Sequence, residues 1–211
     1  MSGAVSDRSA WRERAAETRR RRSEAAVLDS ARRLVSAGGF ETTTVEAIAA
    51  EAGVGPATVY ERYGSKAGVA VALLYEHLGD LDTPAARDAA TRPVAEAVYR
   101  HMLRLARKWR EHPELGPAVV SAMSRLVGPP RSPADPRVRY PLPRPLAAIL
   151  RAGQERGEIA GDLDVEDAAG SLTSFLMLRL VTREEPAAAS ASFVARLAIR
   201  GLLADPTAEV E

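Results

Sequence analysis

The chain has 211 residues, no cysteine, and 29 basic against 28 acidic side chains for a net charge of +1. That length can bury a core in one or two domains, the missing thiols exclude disulfides, thiolate metal sites and cysteine nucleophiles, and the balanced charge confines any nucleic-acid contact to a local patch. No apolar run approaches the roughly 18 residues of a membrane span, and the polar, acid-containing N-terminus does not look like a signal peptide, so a cytoplasmic protein is expected.

Residues 1–22 are rich in arginine, ending in Arg19-Arg20-Arg21-Arg22, with Asp7, Glu13 and Glu17 interspersed. This segment reads either as a solvated, partly helical tail or as an arm that meets a minor groove or phosphates. Residues 23–37 then place Val27, Leu28, Ala31, Leu34 and Val35 on one helical face, and Gly38-Gly39 stops the helix.

The next stretch predicts two short helices joined by a tight turn. Thr43 and Glu46 have capping-box spacing, Val45, Ile48, Ala49 and Ala52 form a narrow apolar face, and Gly53 ends the helix. Pro56 suits the first turn of the second helix, where no hydrogen bond is lost. On a helical wheel Val59 and Tyr63 face inward, Ala57, Thr58 and Glu61 outward, and Tyr60 and Arg62 flank them. Ser65 caps a further helix over residues 65–78, whose first turn carries Lys66 and whose stripe is Val69, Leu73, Leu74 and Leu78. Two helices meeting at a glycine turn, the second presenting polar groups, are a helix-turn-helix suited to a DNA major groove.

The run Gly39-Phe40, Thr43-Thr44-Val45, Ile48-Ala49, Ala52-Gly53-Val54, Thr58-Val59-Tyr60 and Ser65-Lys66 resembles the DNA-binding domain of the tetracycline-repressor (TetR) family. The resemblance spans residues 23–78. It implies that Thr44, Tyr60 and Lys66 contact backbone phosphates and that Pro56, Ala57, Thr58 and Arg62 face base edges. Gly55 stands where the family usually has a capping serine, Arg62 where histidine or tyrosine is common, and Ala67 where an acidic residue usually follows the lysine. Arg62 could read a guanine bidentately or hold a phosphate.

Beyond residue 80 the pattern stays helical. Residues 81–92 read as a polar connection with at most a short helical turn, because Thr83-Pro84 and Arg92-Pro93 interrupt them. Helices are expected over 93–111, 113–127, 144–156, 164–183 and 187–203, while the prolines of 128–145 forbid a continuous helix there. No run alternates with period two, so no sheet is expected. The proline-rich segment is either a lid or an exposed linker.

The resemblance further implies a second domain, residues 79–206, that holds a small-molecule pocket and pairs its last two helices with those of a second subunit. Candidate pocket residues are Tyr99, Met102, Trp109, Met123, Leu126 and Phe175, with His101 as a polar contact, although each also fits plain core. Gly170, Ser174, Met177, Leu178, Phe193 and Leu197 mix small residues that permit close approach with large ones that fill a seam, either between subunits or within one.

An enzyme is not expected. His77, His101 and His112 lack metal spacing, and Gly53-x-Gly55 follows a helix rather than a strand, so it is no nucleotide fingerprint. No metal or other cofactor is implied. The expected fold is all-α, with an N-terminal helix-turn-helix domain and a larger helical ligand-binding and dimerisation domain. The expected function is a homodimeric, ligand-responsive regulator, a repressor bound to near-palindromic double-stranded DNA and released by an apolar small molecule. A ligand-independent DNA binder, and a helical metabolite-binding or protein-docking module without specific DNA binding, are the alternatives.

Overall fold

The computed structural model describes residues 3–124 and 135–202, with side chains over 11–124 and 135–201. Leu126 and residues 128–134 of the proline-rich segment lie outside the described residues. Among those described there are helices and no strand.

The first helix, α1 (Gly3–Gly38), runs unbroken through residue 22, so the arginine run continues this helix. Residues 11–22 of this helix are largely exposed and supported by pairs such as Arg21 to Glu17 at 2.8 Å, one turn apart. Further along, Val27, Ser30, Ala31 and Val35 are buried against α2 (Val45–Ala52) and α4 (Lys66–Leu78). Helix α3 (Pro56–Tyr63) lies between these two in sequence and inserts Val59 and Tyr63 into the same core.

The cap of α2 differs from the expected one. Thr44, not Thr43, accepts from the Ala47 amide at 3.1 Å, while Thr43 is buried and donates its hydroxyl to the Gly39 carbonyl at 2.9 Å. The helix begins at Val45, so its third residue is Ala47 and no capping box with Glu46 forms. Gly53 closes α2 in the left-handed region at φ 68°, and Ser65 caps α4 through the Gly68 amide at 3.0 Å. Gly68 itself is a close-approach site: a Cβ there would lie 1.8 Å from the Tyr63 carbonyl oxygen.

A second correction concerns residues 81–92, which contain a full helix, α5 (Asp82–Thr91). Pro84 falls in its first turn, where proline is tolerated, and Asp80 accepts from the Thr83 amide at 2.9 Å. The polar look of the segment hid a buried face of Leu81, Ala85, Asp88 and Ala89. Asp88 sits among Arg92, Arg100 and Arg104, at 3.0, 3.4 and 2.7 Å. Burial alone would raise its pKa, but the hydrogen bonds and charges of these arginines hold the carboxyl below its ordinary range.

Helix α6 (Val94–Arg110) is the axis of the second half, contacting α4, α5, α9 (Arg144–Glu155), α10 (Val165–Thr182) and α11 (Ala187–Leu202). Helix α7 (Gly116–Ser124) packs on α4 and α10, and the short α8 (Pro136–Arg139) also touches α4. One continuous apolar core therefore joins the helix-turn-helix to the rest, with α4 passing through it.

Candidate nucleic-acid interface

Helix α3 separates its residues by solvent access. Pro56, Ala57, Tyr60 and Glu61 are exposed, Thr58 and Arg62 are half-buried, and only Val59 and Tyr63 are fully covered. Because two apolar anchors one turn apart fix the rotation of an eight-residue helix, the opposite face stays outward without a side-chain cap at Gly55.

Tyr60 is 46% exposed, and its hydroxyl donates to Glu46 of α2 at 3.2 Å. The Glu46 charge raises the Tyr60 pKa, so the phenol remains a hydrogen-bond donor. Thr44, the cap of α2, is also exposed and lies at the start of the neighbouring helix.

Two of the sequence candidates are engaged inside the protein. Lys66 donates to the Phe40 and Glu41 carbonyls at 3.1 and 3.2 Å and stands 4.5 Å over the Phe40 ring. Arg62 does not project from α3: its Nη1 donates to the Arg20 carbonyl at 3.1 Å, its Nε is 3.6 Å from Glu24, and only 14% of its side chain is exposed. Helix α1 supplies both partners, a contact invisible from a wheel of α3 alone. Glu24 and Gly68 were not singled out by sequence reasoning, and Glu46 was read only as a capping partner, because each acts on a residue of another helix.

The pocket candidates are dispersed. His101, Met102 and Trp109 are buried on α6, and Tyr99 and Met123 are half-buried. Neither ring nitrogen of His101 has a hydrogen-bond partner, and burial, assisted by the Arg104 charge, pushes its pKa down to about 4. The hydroxyl of Thr173 on α10 is likewise buried and unpartnered. Phe175 departs from the expected pocket: it is 36% exposed and its ring lies 6.3 Å from that of Phe193. The turn of α10 that buries Leu176 and Met177 inward necessarily directs Phe175 and Leu178 outward.

The seam candidates divide for the same reason. Leu178, Phe193 and Leu197 are exposed large hydrophobics, Ser174 is exposed and Gly170 half-buried, whereas Met177 belongs to the subunit's own core. Among the described residues no cluster of three or more His, Asp or Glu could hold a metal ion, and no helix is long and apolar enough to cross a membrane.

Residues 27–73, which take in the buried part of α1, all of α2 and α3 and the first turns of α4, match the model of bacterial regulatory proteins of the tetR family. Residues 27–73 are thus a tetR-family DNA-binding region. In this family's terms α2 and α3 are the helix-turn-helix, and the protein is a DNA-binding transcriptional regulator.

No curated protein is similar enough to the chain to match it. Among solved structures, the tetR-family repressor FadR of Thermus thermophilus, in complex with lauroyl-CoA, is 22% identical with a TM-score of 0.69, over 89% of this chain and 99% of that one. FadR of Bacillus subtilis in complex with stearoyl-CoA is 19% identical, TM-score 0.58, over 85% and 99%. The tetR-family regulator PfmR, also of Thermus thermophilus, is 24% identical, TM-score 0.51, over 82% and 97%. These similarities extend the tetR-type fold through the helices that follow residue 73.

Proposed function

We propose that the chain is a cytoplasmic, non-enzymatic homodimeric repressor that sits on a near-palindromic operator and leaves it when an apolar small molecule enters the second domain. The observation that carries this reading is α4. That one helix begins beside the recognition helix, packs on α1 and α3, and also packs on α6, α7 and α8. A shift of the second domain against α4 therefore reaches the DNA-contacting helix through rigid secondary structure.

His101 and Thr173 support a ligand in that domain, since buried polar atoms without partners are uncommon and costly unless something satisfies them. The two FadR proteins were solved with long-chain acyl-CoA thioesters, so that chemistry is the first to try on this chain. An apolar tail would occupy the region of α6 and α10, with His101, neutral at physiological pH, as a polar contact.

Only differential affinity moves the equilibrium. An effector favouring the DNA-free arrangement about 100-fold weakens operator binding by about 2.7 kcal/mol at saturation, and one that binds both arrangements equally does nothing. Duplexes selected by the protein from its source genome provide the operator. Lauroyl-CoA and stearoyl-CoA, titrated at fixed salt, should release this DNA over the range in which they bind the protein. Binding of either thioester with operator affinity unchanged would count against release by this class, and constancy across a metabolite screen would favour the ligand-independent regulator.

A further inference from the structure

We propose that Glu24 is a specificity-determining positioning residue, which withholds Arg62 of the recognition helix from DNA to a degree set by Arg139 of α8. The inference rests on the proposed docking of α3 in a DNA groove.

Glu24 Oε1 faces two guanidinium groups. Arg139 Nη2 is bonded to it directly, whereas Arg62 Nε stands 3.6 Å away, an ion pair beyond hydrogen-bond range. Arg62 has a second hold on α1, from Nη1 to the Arg20 carbonyl at 3.1 Å. Glu24 and Arg20 are one turn apart on the same helix, so together they clamp Arg62 along α1. Bidentate reading of a guanine needs two guanidinium nitrogens at one base edge, and the clamp engages groups on both sides of the fork.

Arg139 is in turn placed by elements of both halves. Its guanidinium carbon lies 5.8 Å from the Tyr63 ring at the end of α3 and 5.8 Å from the Tyr140 ring, and Tyr140 packs 5.1 Å from Tyr75 of α4. Two cations sharing one carboxylate oxygen weaken each other's hold. While Arg139 occupies Glu24, Arg62 has only the Arg20 carbonyl and a 3.6 Å ion pair to hold it, so less is lost when it turns to a base. When α8 withdraws, Glu24 serves Arg62 alone and the clamp tightens. The position of the second domain thus tunes base discrimination through one side chain, in addition to any change in the spacing of recognition helices.

The test is selection from a randomised duplex library by the full-length protein and by Glu24→Gln, Arg139→Gln, Arg62→Ala and the two double variants with Arg62→Ala. Glu24→Gln should sharpen the preference at one position per half-site, by about five- to tenfold if Arg62 reads a base there. Arg139→Gln should flatten the preference at that same position. Both effects should vanish when Arg62 is alanine. Changes spread evenly over all sequences, or changes that persist without Arg62, would overturn the assignment by reducing Glu24 and Arg139 to general electrostatics. If Glu24→Gln fails to fold, as judged by its helical signal and melting, Arg139→Gln decides alone, and an unchanged preference sinks the proposal. Failure of the unmodified protein to enrich any sequence would instead remove the DNA-docking reading beneath it, an outcome readily told apart.

Discussion

Phe175 and Phe193 stand 6.3 Å apart on the outer surface of α10 and α11, with the Arg179 guanidinium 4.0 Å above the Phe193 ring. Both rings are more than a third exposed, and Leu178 and Leu197 add to the same two helices at 47% and 53% exposure. Four large apolar side chains left in water on adjoining helices are the mark of a surface made to be covered. A second copy of this chain is the proposed cover, because paired recognition helices require two-fold symmetry.

Leu197→Glu places a charge where it would be desolvated and faced by its symmetry mate, which should cost several kcal/mol of association, about 3 or more. Sedimentation velocity should then show monomers, and operator binding should be lost at the same concentration. Dimers persisting in both Leu197→Glu and Ser174→Glu would place the subunit contact elsewhere.

Tyr60 is presented to solvent on α3. Tyr60→Phe removes only a hydroxyl whose internal partner is exposed, so thermal stability should hold while operator affinity falls by about 1 kcal/mol, the worth of one hydrogen bond. Lys66→Ala behaves differently, since it also removes the carbonyl and ring contacts at Phe40. It should lower stability by about 1 kcal/mol and, if the ammonium also meets a phosphate, reduce the salt dependence of binding by about one counterion. Equal operator affinity for both variants and the parent at fixed salt would remove them from the interface.

Gly68 is expected to be intolerant. An added Cβ would collide with the backbone of Tyr63, and backbone cannot move aside as a flexible side chain can. Gly68→Ala should destabilise by about 3 kcal/mol, or else displace α3 from α4 and abolish operator binding. A fully stable, fully active Gly68→Ala protein would show that the α3–α4 joint is looser than this packing.

His101 makes stability depend on pH. Its ordinary pKa near 6.5 falls to about 4 in the core, so the unfolded chain binds the proton first as pH drops. The stabilisation from a neutral His101 is complete above 6.5 and is lost progressively down to about 4, by about 3 kcal/mol at most. Denaturant melts across this window should slope more steeply for the parent than for His101→Leu, while acid groups contribute equally to both. Parallel profiles would mean that His101 is solvated rather than enclosed.

Much of the helix-turn-helix was legible in the chain because its rules are local. Pro56, Gly53 and Ser65 act within one or two turns, and the inward pair Val59 and Tyr63 follows from helical spacing alone. Even here the cap fell on Thr44 rather than Thr43, since two adjacent threonines both precede the apolar run and only the trajectory from Gly39 decides which hydroxyl meets the amide. Helix α5 was obscured by Pro84, whose meaning depends on whether the helix starts before or after it.

The sequence by itself determined the helical class, the position of the second helix of the helix-turn-helix and its inward pair Val59 and Tyr63, all consequences of periodicity and backbone chemistry. Only the tertiary structure decided that Arg62 lies along α1 beside Arg20 and Glu24, that Phe175 joins Phe193 at the surface, and that His101 is left without a partner. Those outcomes depend on which helix faces are brought together by residues tens of positions apart. Spacing along one helix carries no information about the neighbour that its side chains will meet.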